Sequence, residues 1–375
     1  MIRPDRLYDH LAELGIEFYT GVPDSLLKDF LACLQFKADR DMHIITANEG
    51  LAVGLATGYH ISTGKIPLVY LQNSGLGNII NPITSLADQE MYSIPMLLLI
   101  GWRGRPGVKD EPQHKKMGRV MLDLLTALEI PYFILDNNEE DAFEKFANAT
   151  RMAREGNKPV ALIAVENIFE EYSLEQHDTG YMLTRESLIK DIIQVLKGDE
   201  IVVCTTGKTG REFYEQNILA GNKIKKYFLS VGAMGHAGHI ALGLRMHSDE
   251  KVVLIDGDGA LLMHMGSLAT TGNYATGKFL HILINNGVHE SVGGQPTQGS
   301  HTDFCTIARA CGYEVANYVS DEKSWADWLE HRIDFSVSLF VEIRSGAGSR
   351  SDLGRPVGIP SQWKDNLMNA LNTNK

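Results

Sequence analysis

The sequence predicts an α/β protein with two domains, each built on a mostly parallel sheet flanked by helices. A length of 375 residues is enough for two separate hydrophobic cores. Near-continuous apolar runs alternate with helical patterns, which is typical of parallel strands buried on both faces. The polar stretch "ENIFEEYSLEQHDTGYML" (166–183) divides these runs into two series. We therefore predict one domain over 1–170, a linker over 171–183 and a second domain over 184–375.

The predicted elements follow one another in a regular order. The opening "MIRPDRLYDHLAELG" predicts an amphipathic helix and not a signal peptide. The first domain has five strand-like apolar runs, at 43–47, 67–73, 95–102, 132–136 and 159–165. The second domain has five more, at 201–206, 226–231, 252–257, 279–286 and 338–344. Ligands of parallel sheets bind at the carboxyl ends of the strands, so residues just after these runs are candidate site residues.

The composition excludes several classes of protein. Apolar content of 44% and charged content of 22% are ordinary for a globular protein. A net charge of −12 argues against nucleic-acid binding, which usually requires a basic surface. No apolar run approaches the roughly 18 residues that a membrane span needs. The four cysteines show no metal-like spacing, which favours a reduced, cytoplasmic setting.

Two neighbouring strands of the second domain end in small polar residues, "GDG" at 257–259 and "NN" at 285–286. Small residues let backbone N–H groups approach a phosphate at a helix N-terminus. Asp258 would repel that phosphate unless a cation lay between them, and Mg²⁺ prefers carboxylate and phosphate oxygens. Two tight turns are the alternative interpretation, but the second polar break favours a metal-bridged diphosphate.

The GDG and NN pair resembles the cofactor-binding motif of the thiamin-diphosphate-dependent enzymes. The resemblance implies that Mg²⁺ is held by Asp258, Asn286 and the carbonyl of Val288, with Asn285 as the neighbouring alternative. It implies two domains of the thiamin-diphosphate-binding type, the pyrimidine type before the diphosphate type. It also implies further cofactor contacts beside the motif, from Gly257, Gly259 and Ala260.

The resemblance extends to a glutamate in the first domain. In "TANEGLAVGLATG", Glu49 opens a small-residue helix just after a predicted strand. In this family such a glutamate hydrogen-bonds N1′ of the aminopyrimidine and promotes its imino tautomer, so Glu49 is a candidate catalytic residue. The alternative is a helix-start glutamate that complements the helix dipole.

Two more stretches of the second domain resemble cofactor-binding segments. In "VGAMGHAGHIALG", the resemblance implies that the Gly232 carbonyl accepts from the 4′-amino group and that Met234 wedges the cofactor into a bent form. A core methionine is the alternative for Met234. The turn "TTGKTGREF" is a weaker signal, because such turns are common. Its candidate diphosphate contacts are Thr206, Gly207 and Thr209.

The chain lacks the middle domain and the paired histidines of many larger family members, so it is similar to the short two-domain branch of thiamin-diphosphate-dependent decarboxylases. "GVPDSLLKDFL", "QNSGLGN", "RGRPGVKDEPQH" and "RSDLGRP" resemble the members that act on phosphonopyruvate. The implied reaction converts 3-phosphonopyruvate to phosphonoacetaldehyde and CO₂, in phosphonate biosynthesis. The alternatives are a sulfopyruvate decarboxylase, a carboligase and a non-catalytic thiamin-binding scaffold.

A basic segment suits a small dianionic 2-oxo acid as substrate. Segment 102–119 carries more basic than acidic residues, and its Gly and Pro predict a loop after a strand. Arginine presents a fork that matches phosphonate or carboxylate oxygens, although charged runs are often only a solvated surface. A second Gly-rich basic loop spans 345–356. The candidate substrate-binding residues are Asp24, Ser25, Asn73, Arg103, Arg105, His114 and Lys115.

The proton donor and the assembly are further expectations. His114 in the basic segment and His289 just after the asparagine pair are candidate proton donors, with ordinary surface or hydrogen-bonding histidines as the alternative. The resemblance also implies a homo-oligomer whose active sites lie between subunits, because the family usually joins the two domain types across a dimer.

Overall fold

Two six-stranded sheets organise the chain, and every strand pairing within them is parallel. The structure is a computed structural model that describes residues 1–172, 180–275, 277–332 and 335–372. Its internal contacts define two units, residues 1–176 with 291–296 and residues 177–290 with 297–375. Residues 173–179 of the predicted linker lie outside the described residues.

The first unit contains the first sheet, with strand order β2-β1-β3-β4-β6-β5. Its strands are β1 (Tyr19–Gly21), β2 (His43–Ile45), β3 (Leu68–Gln72), β4 (Met96–Gly101), β5 (Tyr132–Ile134) and β6 (Pro159–Ala164). Its α-helices are α1 (Pro4–Glu13), α2 (Lys28–Lys37), α3 (Glu49–Thr63), α4 (Leu76–Pro82), α5 (Pro112–Ala127) and α6 (Glu139–Gly156). All six residues of β4 and of β6 are buried, because helices cover both faces of the sheet.

The second unit contains the second sheet, with strand order β13-β14-β10-β9-β7-β8. The remaining strands of the chain are β7 (Ile201–Cys204), β8 (Lys226–Leu229), β9 (Val252–Gly257), β10 (Phe279–Asn285), β11 (Val288–His289), β12 (Gln295–Pro296), β13 (Val315–Val319) and β14 (Ser338–Arg344). The remaining α-helices are α7 (Arg185–Val195), α8 (Lys208–Leu219), α9 (Ala237–Met246), α10 (Asp258–Met263), α11 (Ser267–Tyr274), α12 (Phe304–Ala310), α13 (Glu322–Arg332) and α14 (Pro360–Asn372).

Each sheet has one point where the strand order reverses, and some of the candidate residues follow the strands that meet there. In the first sheet β1 is followed by β2 on one side and pairs with β3 on the other. In the second sheet β7 stands in the same relation to β8 and β9. Such a switch point leaves a crevice at the carboxyl ends of the two central strands. The residues after β7 and β9 therefore face one crevice of the second unit.

The predicted architecture of two parallel α/β sheets is confirmed, but each sheet has a sixth strand that the sequence did not reveal. The first, β1, has three residues and ends in a glycine, so it gives no apolar run. The second, β13, is an edge strand with only two of its five residues buried and an asparagine at its centre. The prediction of a loop throughout 102–119 is also wrong, since α5 begins at Pro112, a residue type well suited to the first turn of a helix.

None of the described helices is long and apolar enough to cross a membrane.

Candidate active site

The structure brings the two polar strand ends of the second unit together. Strands β9 and β10 are parallel neighbours, and Gly257 lies opposite Ile284 in their register. The next residues are Asp258, the first residue of α10, and Asn285, the last residue of β10, which therefore lie side by side at this edge of the sheet. Both are buried, with exposed fractions of 3% and 0%.

Asp258 is held at the first turn of α10. The hydroxyl of Thr297 donates a hydrogen bond to its Oδ2, and burial raises the pKa of this carboxyl to about 6. Gly299 also approaches closely: a Cβ at this position would lie 2.6 Å from Oδ2 of Asp258 and 2.8 Å from Oδ1 of Asn285. The backbone at residue 299 can therefore pass the carboxylate only because it has no side chain.

The two asparagines have different environments. Nδ2 of Asn285 donates to the carbonyl of Gly299 at 2.9 Å and to Oε1 of Glu342 at 2.8 Å, and its Oδ1 accepts from the Gly287 amide at 3.1 Å. Asn286 donates to Oε2 of Glu290 at 3.0 Å, and its Oδ1 accepts from the Val288 amide at 3.2 Å. The side chain of Asn285 thus links the end of β10 to Gly299 and to Glu342 of β14, whereas the side chain of Asn286 bonds residues close to it in sequence.

The donor set at this edge suits a hard cation. In the part of the chain that the structure describes, no group of three or more His, Cys, Asp or Glu residues is placed to hold a metal. A metal here would depend on one carboxylate, Asp258, with neutral oxygens from Asn286 and Val288. Mg²⁺ accepts one or two protein carboxylates and completes its shell with phosphate oxygens and water. These residues therefore fit Mg²⁺ better than a softer ion.

The turn between β7 and α8 provides further polar groups at the same crevice. The buried hydroxyl of Thr205 has no hydrogen-bond partner, an arrangement that costs free energy unless a ligand or water completes it. Gly207 has φ +91°, a conformation that favours glycine, and it directly precedes α8. The hydroxyl of Thr206 donates to the Val231 carbonyl at 2.9 Å, and Thr209 is buried in the first turn of α8. A diphosphate at this helix N-terminus would thus meet backbone N–H groups.

Met234 and His289 lie around Gly259. A Cβ on Gly259 would lie 3.0 Å from Cε1 of His289 and 3.4 Å from Cε of Met234. Met234 is partly exposed and lies outside the hydrophobic cores of this unit. This position argues against the alternative interpretation, in which Met234 only packs in the core. The Gly232 carbonyl already accepts from the Ser230 hydroxyl at 2.7 Å, which leaves one lone pair for another donor.

Neither candidate proton donor, His114 or His289, is well suited to act as a general acid at neutral pH. Burial lowers the pKa of His289 to about 4. The pKa of His114 is lowered as well, first by burial and then by the nearby charge of Arg103. Both imidazoles are therefore largely neutral near pH 7, and as neutral rings they can accept or donate a hydrogen bond but do not carry an acidic proton.

In the first unit, Glu49 is placed by the start of α3. The side chain of Asn48 caps this helix by accepting from the Gly50 amide at 2.8 Å. Glu49 is 5% exposed, Nδ2 of Asn78 donates to its Oε2 at 2.6 Å, and Gly75 packs against its Oε1. Burial raises the pKa of Glu49, so the neutral form is favoured more than in a surface glutamate.

Asp24 and Asn73 lie at the switch point of the first sheet, after β1 and β3. Asp24 is fully buried, accepts from Nε2 of Gln72 at 2.6 Å, and has a pKa raised by burial. Both ends of the Asn73 amide bond the backbone of Arg103, at 2.8 Å and 3.2 Å. Asn73 therefore fixes the path of the chain at Arg103.

The predicted substrate-binding arginines have partners within their own unit. Asp110 accepts two bonds from Arg103, at 2.8 Å and 2.5 Å, and Nη1 of Arg103 donates to the Ser25 hydroxyl at 2.8 Å. Burial alone would raise the pKa of Asp110, but these contacts with Arg103 hold that pKa below its ordinary value. Arg105 faces Glu166 at 3.3 Å, in a looser pair whose carboxylate oxygens accept no hydrogen bond.

The remaining basic candidates differ in exposure. Lys115 is exposed on the first turn of α5, next to the partly buried His114. In the loop 345–356, Arg350 is already paired with three carboxylates, those of Glu186, Glu215 and Asp352. This loop is therefore a poorer candidate for an anion site than segment 102–119.

Several side chains that shape these sites were not predicted from the sequence. They are Asn78, Asp110, Thr205, Glu290 and Thr297. Asn78 and Thr297 reach Glu49 and Asp258 from distant segments of the chain. Asp110 and Glu290 instead lie only seven and four residues after Arg103 and Asn286, and Thr205 is the first residue of the predicted turn. The only sequence signal for most of them is an unexplained polar residue beside a glycine-rich motif.

Two family models match this chain, one in each half of the sequence. The N-terminal TPP binding domain of thiamine pyrophosphate enzymes matches residues 4–127, and the C-terminal TPP binding domain matches residues 207–343. The chain belongs to the thiamine pyrophosphate enzyme family. Thiamine pyrophosphate is another name for thiamin diphosphate.

Within this family, the chain is similar to decarboxylases of two kinds. Phosphonopyruvate decarboxylase of Streptomyces viridochromogenes is 32% identical, over 96% of this chain and 93% of that protein. Sulfopyruvate decarboxylase subunit beta of Methanococcus maripaludis is 37% identical over 50% of this chain and 98% of that subunit. Subunit alpha of the same enzyme is 34% identical over 42% of this chain and 92% of that subunit.

Proposed function

We propose that this protein is a thiamin-diphosphate- and Mg²⁺-dependent decarboxylase that converts 3-phosphonopyruvate to phosphonoacetaldehyde and CO₂. The observation that carries the proposal is the match to a phosphonopyruvate decarboxylase over nearly the whole length of both chains. The candidate site supports it, because the carboxylate of Asp258, the amides of Asn285 and Asn286 and the unpaired hydroxyl of Thr205 lie at the carboxyl ends of the neighbouring strands β9, β10 and β7.

The second unit would hold the diphosphate end of the cofactor. Asp258, the Asn286 oxygen and the Val288 carbonyl would bind Mg²⁺. The N-terminus of α8 after Gly207 would receive the diphosphate. The space between Met234 and Gly259 would receive the rings, with the Gly232 carbonyl as hydrogen-bond acceptor.

The first unit would supply the group that activates the cofactor. Thiamin diphosphate supplies an electron sink for the pair that is left when CO₂ departs. Glu49 has a raised pKa, so its carboxyl can share a proton with a ring nitrogen, and Asn78 holds its other oxygen in place. Burial of Glu49 keeps water away from this hydrogen bond and strengthens it.

The substrate would bind through the cationic residues of the first unit. Phosphonopyruvate carries a phosphonate at one end and the departing carboxylate at the other. Arg103 is held rigidly by Asp110, and its bonds to Asp110 and Ser25 use only part of its N–H groups. A fixed guanidinium can bind phosphonate oxygens without ordering a flexible side chain first. Arg105, Lys115 and His114 are the further candidates.

We also propose a homo-oligomer with active sites between subunits. The helix α3 that begins at Glu49 exposes a strip of its surface: Leu51 is 60% exposed, Ile61 is 70% exposed, and Gly54 and Gly58 face open space. Such a strip allows a second helix to approach closely. The separate alpha and beta subunits of the sulfopyruvate enzyme are consistent with association between the two domain types.

The proposal is tested by CO₂ release from purified protein supplied with thiamin diphosphate and Mg²⁺. Phosphonopyruvate, sulfopyruvate and pyruvate are compared as substrates. We expect phosphonopyruvate to have the highest kcat/KM and activity to vanish when either the cofactor or the metal is omitted. A higher kcat/KM for sulfopyruvate would establish the second candidate, and no CO₂ from any of the three acids would overturn the proposal.

A further inference from the structure

A buried ion network of the second unit ends on the side chain of Asn286. Its central residue is Glu290, which follows β11 and is 12% exposed at the side chain. Oε2 of Glu290 accepts from Nδ2 of Asn286 at 3.0 Å and from Nη1 of Arg185 at 2.7 Å. Its Oε1 accepts from Nζ of Lys208 at 3.1 Å. One carboxylate thus joins the candidate metal ligand to α7 and α8.

The chemistry of this contact determines which way the Asn286 amide points. An ionised carboxylate accepts hydrogen bonds and donates none, whereas an amide has a donor end and an acceptor end. The NH₂ group of Asn286 must therefore face Glu290, and its oxygen must face away. If the amide flipped, two oxygens would be opposed within a buried site, which is unfavourable.

Arg185 keeps Glu290 in place. The guanidinium of Arg185 is 6% exposed at the side chain and also binds Glu212 through two bonds, both 2.7 Å long. Arg185 is the first residue of α7 and Glu212 lies in α8, so the pair is fastened to two helices. A carboxylate anchored in this way can orient a neighbour precisely, as do the carboxylates behind many metal ligands.

We propose that Glu290 is a positioning residue for the metal site, holding the Asn286 amide in the orientation that presents its oxygen to Mg²⁺. This inference rests on the proposed function. Lys208 extends the effect, since it is the first residue of α8 and adjoins Gly207, where the diphosphate would bind. Glu290 therefore links the metal ligand to the diphosphate-binding turn.

The test compares two carboxylates that share Arg185. Glu290→Gln changes the residue that contacts Asn286, and Glu212→Gln is the matched control, because Glu212 binds Arg185 and has no hydrogen bond to Asn286. The affinity of each metal-free protein for Mg²⁺ is measured by titration calorimetry at saturating thiamin diphosphate, and thermal unfolding is recorded for both. We expect about a 10- to 100-fold loss of Mg²⁺ affinity for Glu290→Gln and less than about a threefold loss for Glu212→Gln.

A double-mutant cycle separates positioning from general destabilisation. If Glu290 acts through Asn286, adding Glu290→Gln to Asn286→Ala should cause no further loss of Mg²⁺ affinity. If Glu290→Gln does not fold, Glu290→Asp replaces it, since the shorter carboxylate keeps its charge but withdraws from the Asn286 amide. Wild-type affinity in the folded Glu290 variant, equal losses in both single variants, or additive losses in the cycle would overturn the inference. Failure of the wild-type protein to bind Mg²⁺ and thiamin diphosphate would instead overturn the proposed function.

Discussion

The side-chain amide of Asn285 donates a 2.8 Å hydrogen bond to the buried carboxylate of Glu342. Burial raises the pKa of Glu342, and this hydrogen bond is the largest influence that opposes the rise. Asn285 also binds the Gly299 carbonyl and the Gly287 amide. The first asparagine of the pair is thus a structural residue of the second unit, which favours Asn286 as the metal ligand.

The two asparagines should respond differently to replacement by alanine. Asn285→Ala leaves buried polar groups without partners, so we expect it to lower the free energy of unfolding by about 2–4 kcal/mol. Asn286→Ala should lower Mg²⁺ affinity by at least about tenfold with a much smaller effect on unfolding. Urea unfolding and Mg²⁺ titration in the presence of thiamin diphosphate measure the two effects. The opposite pattern would make Asn285 the ligand.

Replacing Glu49 by glutamine should abolish turnover and leave the cofactor bound. The diphosphate and metal contacts come from the second unit, so the affinity for thiamin diphosphate should change by less than about threefold. The variant loses only the ionisable carboxyl, and we expect kcat to fall by about 100-fold or more. Glu17→Gln is the control, because Glu17 is a surface glutamate of the same unit, 43% exposed at its side chain. An unchanged kcat in Glu49→Gln would remove Glu49 from the reaction.

The sequence was sufficient for those parts of the fold that depend on long apolar runs. Strands β4, β6, β9 and β10 are buried on both faces, so most of their residues are apolar. Strand β1 contributes only three residues, and its central position depends on its neighbours β2 and β3. Tertiary contacts of this kind leave little trace in a local pattern.

The same distinction applies to the candidate site. Asp258 and the asparagine pair follow neighbouring apolar strands, so the position of the strands predicts their proximity. Thr297 reaches Asp258 from a segment 39 positions away, and Asp110 reaches Arg103 from within a loop. No periodic pattern connects these pairs. Gly and Pro in 102–119 predict a loop, but proline also favours the first turn of a helix, and α5 begins at Pro112.

The stability of the first unit should depend on pH through His43. Burial lowers the pKa of His43 from 6.5 to about 4, and its Nε2 lies 3.0 Å from the Tyr70 hydroxyl. The unfolded chain therefore binds a proton at a higher pH than the folded chain, and stability is lost as the pH falls from 6.5 towards 4. A shift of this size corresponds to at most about 3 kcal/mol.

His43→Gln should remove that contribution. Urea unfolding of wild type and variant is measured at intervals from pH 7.5 to pH 4.5, and the stability of the variant should fall less steeply. His331→Gln is the matched control, because His331 is 61% exposed at its side chain. Parallel curves for wild type and His43→Gln would show that His43 is not the group responsible.

Subunit exchange tests the location of the active sites. Glu49→Gln and Asp258→Ala should each be inactive alone, and mixing them should restore part of the activity if one subunit supplies Glu49 and its partner supplies Asp258. Mass-tagged subunits establish that exchange takes place. Mixing either variant with the Glu49→Gln/Asp258→Ala double variant is the control and should restore nothing. Demonstrated exchange without recovery would place the two residues of each site in the same subunit.

The last prediction concerns the choice of substrate. Phosphonopyruvate and pyruvate share the reacting 2-oxo acid and differ by the phosphonate, so a residue that binds the phosphonate should affect only the first of them. A charge-assisted contact contributes about 1.5–3 kcal/mol, which corresponds to about a 10- to 150-fold change in kcat/KM. Arg103→Ala should therefore lower kcat/KM for phosphonopyruvate by about that factor and leave kcat/KM for pyruvate nearly unchanged.

The structure provides two comparisons that make this test specific to Arg103. Asp110→Asn keeps the Arg103 charge but weakens the two bonds that hold the guanidinium, so its loss should be smaller than that of Arg103→Ala. Lys116→Ala removes an exposed charge of the same segment and should have little effect. If the preference for phosphonopyruvate survives both Arg103→Ala and Arg105→Ala, the phosphonate binds elsewhere. Because Arg350 is already paired with three carboxylates, Lys115 and His114 on α5 would then be the next residues to replace.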